Sequence, residues 1–152
     1  MSIHTIEIKT QPALCPLPCD DYTTILEVPG SFSLADLAIA ILDAIGFDAD
    51  HAFEFFDNPR NQYASKVRYS VFADHGEDDP EEGQTVHGVG EPQVGEVFAE
   101  QGTALGFLFD YGDNWIFRVT SLGIADDTKT KSKKARQVSA VGTPPVQYPD
   151  FG

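Results

Sequence analysis

Ser33-Leu-Ala-Asp-Leu-Ala-Ile-Ala-Ile-Leu-Asp-Ala-Ile-Gly46 is the clearest element of this chain, a sustained run at helical spacing. Leu34, Leu37, Ala38, Ile41, Leu42 and Ile45 stand at i, i+3, i+4, i+7, i+8 and i+11, one apolar stripe on a helix over residues 34–45. Both ends carry signals. Ser33 suits the N-cap, Asp36 completes a capping-box-like start, and Phe32 can staple against Leu37. Gly46 suits the left-handed position after the last turn, and Phe47 can then fold back on the helix.

Outward from this helix the periodicity changes from helical to alternating. Ile3 to Lys9 and Tyr22 to Val28 read as strands, the first with Ile6 and Ile8 on one face, the second with Tyr22, Thr24, Leu26 and Val28. Pro12, Pro16 and Pro18 keep the connection between them out of any ladder. After the helix, His51 to Phe56 and Lys66 to Phe72 read as strands, with Val67, Tyr69 and Val71 facing one way and Lys66, Arg68 and Ser70 the other. Val94 to Ala99 is expected as a short turn or strand, and Asp126 to Lys134 as a polar loop. Arg136 to Val141 suits a last strand. Residues 143–152, with Pro144, Pro145 and Pro149, suit an extended tail over the body.

The second informative stretch is Phe107-Leu-Phe-Asp-Tyr-Gly-Asp-Asn-Trp115. It reads as two strands, Leu105 to Phe109 and Trp115 to Leu122, joined by a three- to five-residue hairpin turn. Gly112 and Asn114 are expected to supply its positive φ angles. The alternation assigns Phe107, Phe109, Trp115 and Phe117 to a buried face. The order of elements predicts an α+β fold. Its sheet is mostly antiparallel or mixed, with the one main helix packed on a face, and it is compatible with a β-grasp-like core.

At 152 residues the chain fits a single domain. No apolar run approaches the roughly 18 residues of a membrane span, and no signal-peptide pattern opens the sequence. Cys15 and Cys19 therefore read as reduced thiols of a cytoplasmic protein, with a local disulfide or redox pair as the alternative. The net charge is −14, unevenly spread. Residues 1–127 hold 23 acidic and 5 basic residues, and residues 128–152 hold 1 acidic and 5 basic. So acidic a body repels phosphate backbones, which counts against direct DNA binding by the main domain. Six of the nine residues from Asp74 to Glu82 are acidic, and residues 74–95 lack periodicity. They are expected as a mobile, solvated acidic loop, or alternatively as a site for a cation or basic partner.

The chemistry-bearing residues are sparse. The turn before the helix offers no phosphate cradle, and no Ser or Cys stands in a context that activates it. His75 and His87 bracket the acidic loop beside Asp74, Asp78, Asp79 and Glu82, and are the candidate metal ligands. Asp110 and Asp113 can act as paired carboxylates if they share a cleft, or as turn-formers bonding local N–H groups. With Tyr111, Trp115 and His51 they are the candidate binding residues. Lys131, Lys133, Lys134 and Arg136, next to Lys129, are the candidate phosphate contacts, or else cover the protein's own acidic surface. No cofactor is expected. A protein partner or self-association is.

The segment Phe107–Trp115 resembles the aromatic–Asp-Phe-Gly-Asp-Asp-Trp signature of the Ri-plasmid open-reading-frame-three-like family. Val28-Pro-Gly30, Leu34-Ala-Asp-Leu37, Gly46-Phe47, His51-Ala-Phe53 and Gln147-Tyr-Pro-Asp150 resemble other family pieces in the same order. Asn114 stands in place of the second Asp of the signature, Ala38 in place of a frequent His, and the family's Trp-Arg-Arg is missing near Asp20-Asp21-Tyr22. The resemblance implies a small α+β domain of unassigned function, often found with mobile elements. Some relatives carry a resolvase label, which this chain does not support, because it lacks a helix-turn-helix and a basic DNA-facing body. The expected function is a non-catalytic binding module. The alternatives are a metal-dependent or acid–base enzyme using His51, His75 or His87 with Asp110 or Asp113, and a nucleic-acid accessory protein.

Overall fold

The computed structural model describes residues 2–126 and 134–148. Strands β1 (Ser2–Thr10) and β2 (Tyr22–Pro29) precede helix α1 (Leu34–Ile45). Then come β3 (Phe53–Phe56), β4 (Val67–Ser70), the one-turn helix α2 (Val71–Asp74), β5 (Thr85–His87) and the one-turn helix α3 (Val94–Val97). Strands β6 (Ala104–Phe109), β7 (Trp115–Asp126) and β8 (Arg136–Gly142) complete the described fold. One mixed sheet runs in the order β5-β4-β3-β6-β7-β1-β2-β8. Every pairing is antiparallel except β4 with β5. The fold is α+β.

Helix α1 forms as its sequence dictates. The Ser33 side chain accepts from the Asp36 N–H, the Asp36 carboxylate accepts from the Ser33 N–H, and Gly46 closes the helix at φ 81°. The Phe47 N–H then donates to the Leu42 carbonyl. The apolar stripe of α1 is buried against Ile6, Ile8, Leu26 and Val28 and the aromatic rows of β3, β6 and β7. Burying each large aliphatic of that stripe stabilises by about 1.5–3 kcal/mol before ordering entropy is subtracted. At the end of the core, Phe47 meets Trp115 edge-on at 5.1 Å, and Trp115 stacks with Phe117 at 6.3 Å.

Strand β3 is buried on both faces. Phe53 and Phe55 join the main core, while Glu54 and Phe56 lie on the opposite face. Gly106 of β6 gives Phe56 its room: a Cβ there would stand 2.2 Å from the Phe56 ring.

Several local expectations change. The strand expected over 66–72 stops at Ser70, whose hydroxyl accepts from the Ala73 N–H and starts α2, so Val71 and Phe72 leave the sheet. Arg68, expected on a polar face, is drawn inward by two carboxylates. The stretch over 74–95 contains β5, and Val94–Val97 is helical, with the Glu96 carboxylate accepting from the Gln93 N–H. In the hairpin turn Asp110 (φ 68°) and Asn114 (φ 60°), not Gly112, take the left-handed conformation. The Asp110 side chain stabilises that geometry by accepting from the Gly112 and Asp113 N–H groups. Cys15 and Cys19, expected as reduced thiols, form a disulfide. The turn through Pro16 and Pro18 leaves their Cα atoms 6.4 Å apart, within bridging range.

Candidate functional site

The hairpin turn, the segment before β3 and the C-terminal tail meet at one end of the sheet. His51 Nε2 lies 2.8 Å from the Tyr148 hydroxyl, 3.4 Å from Asp110 Oδ2 and 3.7 Å from Asp50 Oδ1. Tyr148 donates its own proton to Asp50 Oδ2 at 2.7 Å. Its oxygen is then an acceptor, so the network assigns a proton to His51 Nε2. His51 is thus a donor to Tyr148 and cannot serve there as its base. The hydrogen bond to Asp50, with burial and nearby carboxylates, pushes the Tyr148 phenol up to about 12. The same bond holds the Asp50 carboxyl below its ordinary range. Next door, Gln147 acts as a backbone substitute. Its Oε1 accepts from the Asp48 N–H at 2.7 Å, and its Nε2 donates to the Asp48 carbonyl and to Asp50 Oδ1, both at 3.1 Å. This arrangement fastens the C-terminal segment to the chain before β3.

A second constellation lies on the sheet face opposite α1. The Arg68 guanidinium bonds Glu54 Oε2 at 3.1 Å, Asp78 Oδ1 at 2.8 Å and Gln84 Oε1 at 3.1 Å. Ser70 donates to Asp78 Oδ2 at 2.6 Å. Glu54 is 1% exposed, and the Arg68 and Asp78 side chains are 11% and 13% exposed. Burial raises the Glu54 pKa, and Arg68 offsets only part of that rise. Burial also acts on Asp78, but Arg68 and Ser70 outweigh it and hold that carboxyl low. Tyr111 packs on Phe72 at 5.4 Å, with its hydroxyl buried beside Glu54. Burial, and then the Glu54 charge, push its phenol far above the usual range.

The third feature is an open cleft of about 680 Å³ between β4–β5 and α3. Tyr69 and His87, paired across the parallel strands, stack at 5.5 Å with 29° between their planes. Asp74, Glu91 and Glu96 share the walls. Asp74 Oδ2 accepts from the Val89 N–H at 3.0 Å and Oδ1 from the Gly90 N–H at 3.3 Å, which ties the loop down. Burial, with the charges of Asp57 and Glu96, raises the Tyr69 pKa.

The pieces that first pointed to a family now stand together in space: Phe47, His51, Phe109 to Trp115, and Gln147-Tyr148. A family model described as plasmid pRiA4b ORF-3-like protein matches residues 25–147. The chain belongs to the plasmid pRiA4b ORF-3-like family. No curated protein matches it as a relative. Among solved structures it is similar to the crystal structure of protein of unknown function MM3350 from Methanosarcina mazei Go1. That likeness has a TM-score of 0.65 at 14% identity, over 91% of this chain and 69% of the other. At such identity it speaks for the fold alone.

In this pRiA4b ORF-3-like chain the sequence-derived candidates separate. His51 and Asp110 converge, whereas Tyr111 faces Phe72 and Glu54 and Trp115 is 2% exposed in the core. Asp113 is exposed in the turn, its charge felt by Tyr148. His75 caps the end of α2 and His87 stacks on Tyr69. No group of three or more His, Cys, Asp or Glu with metal-holding geometry occurs among the described residues. Arg136 pairs with Glu27 of β2, and Lys134 lines a depression with Asp36 and Asp43 of α1. Lys129, Lys131 and Lys133 lie outside the described residues. Sequence reasoning missed Asp50 and Tyr148 as partners of His51, and Arg68 as the centre of a buried network. The signal for the first was the Gln147-Tyr148 ending. For the second it was a rare basic residue in so acidic a body.

No helix among the described residues is long and apolar enough to cross a membrane.

Proposed function

We propose that this protein is a non-catalytic binding module that recognises a cationic group, such as a lysine or arginine side chain of a basic partner. The cleft beside β5 and α3 is the recognition site in this reading. What carries it is the stack of Tyr69 on His87 in a wall that also holds the carboxylates of Asp74, Glu91 and Glu96. An aromatic face attracts a cation through its quadrupole, and carboxylates around it add Coulomb attraction. Burial is the main cause of the raised Tyr69 pKa, and the Glu96 charge that adds to it would also favour a ligand's positive charge. Asp74 accepts from the loop backbone and Glu96 Oε1 from the Gln93 N–H, so both shape the cleft, while Glu91 and the remaining charge of Glu96 act on the incoming group.

Titration with a hexalysine peptide at low ionic strength tests this. Saturable binding is expected, with shifts concentrated at Tyr69 and His87 in NMR spectra and affinity falling as salt rises. The double variant Glu91→Gln, Glu96→Gln should weaken binding by roughly fivefold or more, consistent with about 1 kcal/mol from partly exposed charges. Shifts spread evenly over the acidic surface, or no saturation at low salt, would discard the reading.

A further inference from the structure

A cleft of about 500 Å³ lies where the chain just past β1 meets the connection between β3 and β4. Lys9, Arg60 and Arg118 line it, three of the five basic residues among residues 1–127. The remaining two are Lys66, outside the cleft, and Arg68, held in its carboxylate network. Lys9 follows buried Ile8 on β1, and Arg118 stands between buried Phe117 and Val119 on β7. Both side chains therefore leave the sheet on the face away from the α1 core. The two residues are directly opposed in the β1–β7 ladder, and like charges so paired destabilise a sheet. Arg60 is brought beside them by a contact distant in sequence. The Gln11 amide donates to the Pro59 carbonyl at 2.9 Å and fastens the β3–β4 connection to the end of β1.

None of these three side chains makes an ion pair or a hydrogen bond among the described residues. Arg68 and Arg136, by contrast, are held by carboxylates. Asp21 is the one carboxylate in the lining, so three positive charges face one negative and leave an excess of two. A phosphate monoester carries about two negative charges above pH 7. Guanidinium forks bond phosphate oxygens in pairs, and an ammonium adds a point charge. A bound phosphate also offsets the repulsion between Lys9 and Arg118. Pro12 and Leu14 give an uncharged flank for the rest of the ligand. A long polyanion would run out of the cleft onto the acidic surface, whereas a small ligand is screened from charges beyond about 8–10 Å. We propose that this cleft binds a small organic phosphate monoester through Lys9, Arg60 and Arg118. It shares no residue with the cleft beside Tyr69 and His87, so either can fail without the other.

Phenyl phosphate is the probe, titrated into the full chain by calorimetry at low ionic strength and about pH 8, where its phosphate is a dianion. Saturable binding at one site per chain is expected, with a thermal midpoint that rises with ligand concentration. Phenyl sulfate has the same shape with a single charge, and inorganic phosphate lacks the phenyl group. Each should bind at least about threefold more weakly. Arg60→Gln and Arg118→Gln, both at exposed positions, should each weaken phenyl phosphate binding about tenfold or more, the loss of one charge-assisted hydrogen bond. Without ligand, Arg118→Gln should unfold at the native temperature or above it, because it relieves the repulsion with Lys9, so lost binding is not lost fold. Lys66→Gln removes an exposed cation outside the cleft and should leave the affinity unchanged. The proposal is overturned if phenyl phosphate does not saturate, or if phenyl sulfate or inorganic phosphate binds as tightly. It is equally overturned if the two arginine variants bind unchanged, or if Lys66→Gln weakens binding as much as they do.

Discussion

Arg68 shows how one residue sets the character of a region. Its guanidinium neutralises Glu54 from β3 and Asp78 from the acidic segment, and Gln84 holds its Nε. Removing it leaves two largely buried carboxylates without a counter-charge. Arg68→Ala should therefore destabilise the fold by about 3–5 kcal/mol, measured by chemical denaturation. Arg68→Lys should recover only part of the loss, because an ammonium cannot reproduce the fork that reaches Glu54, Asp78 and Gln84 together. A lysine variant as stable as the native protein would show that charge alone matters there. From sequence, Arg68 is one polar side chain in an alternating strand. Nothing local says that a carboxylate ten residues on will cover it.

Among elements, the contrast lies between α1 and the segments tied from a distance. The helix was legible to its last residue because its stripe, cap and terminating glycine are neighbours in sequence. The strands β1, β2, β6 and β7 were legible for the same reason, through alternation. Strand β5 was not. It is three residues long, and its parallel pairing to β4 is what makes it a strand. The C-terminal tail is a related case. Its attachment rests on the Gln147 amide and the Tyr148 hydroxyl, whose partners are nearly 100 residues away. Gln147→Ala should cost about 1–3 kcal/mol, since it strips partners from the Asp48 backbone, and should release the tail to limited proteolysis. An unchanged cleavage pattern would show that Tyr148 and the proline contacts hold the tail without it. The Cys15–Cys19 bridge closes a loop of only a few residues. Replacing both cysteines by serine should therefore cost no more than about 2 kcal/mol in thermal or denaturant unfolding.

For the molecule as a whole, pH dependence follows from a histidine outside every candidate site. His4 of β1 is 1% exposed, with Nε2 3.2 Å from the Ser2 hydroxyl and Nδ1 without a partner. Burial lowers its pKa in the folded state. The unfolded chain, with an ordinary histidine near pH 6.5, then binds more protons in the acid range, so stability rises with pH. The His4 contribution is present above about pH 6.5 and is lost as the pH falls below it, while the acidic surface loses self-repulsion in the same direction. Comparing unfolding free energies of the native protein and His4→Gln between pH 5 and 8 isolates the histidine. The native protein should lose stability more steeply on acidification, and parallel curves would exclude His4 as the source. By itself the sequence determined the helix, the main strands, the α+β class, the acidic imbalance and the family, because each is written in local periodicity, composition or ordered motifs. The tertiary structure alone decided the strand order, the burial of Arg68, the pairing of Cys15 with Cys19, and the meeting of His51, Asp110 and Tyr148. These depend on which distant segments share a face of the sheet, a choice made by the packing of the whole core and carried by no single window of residues.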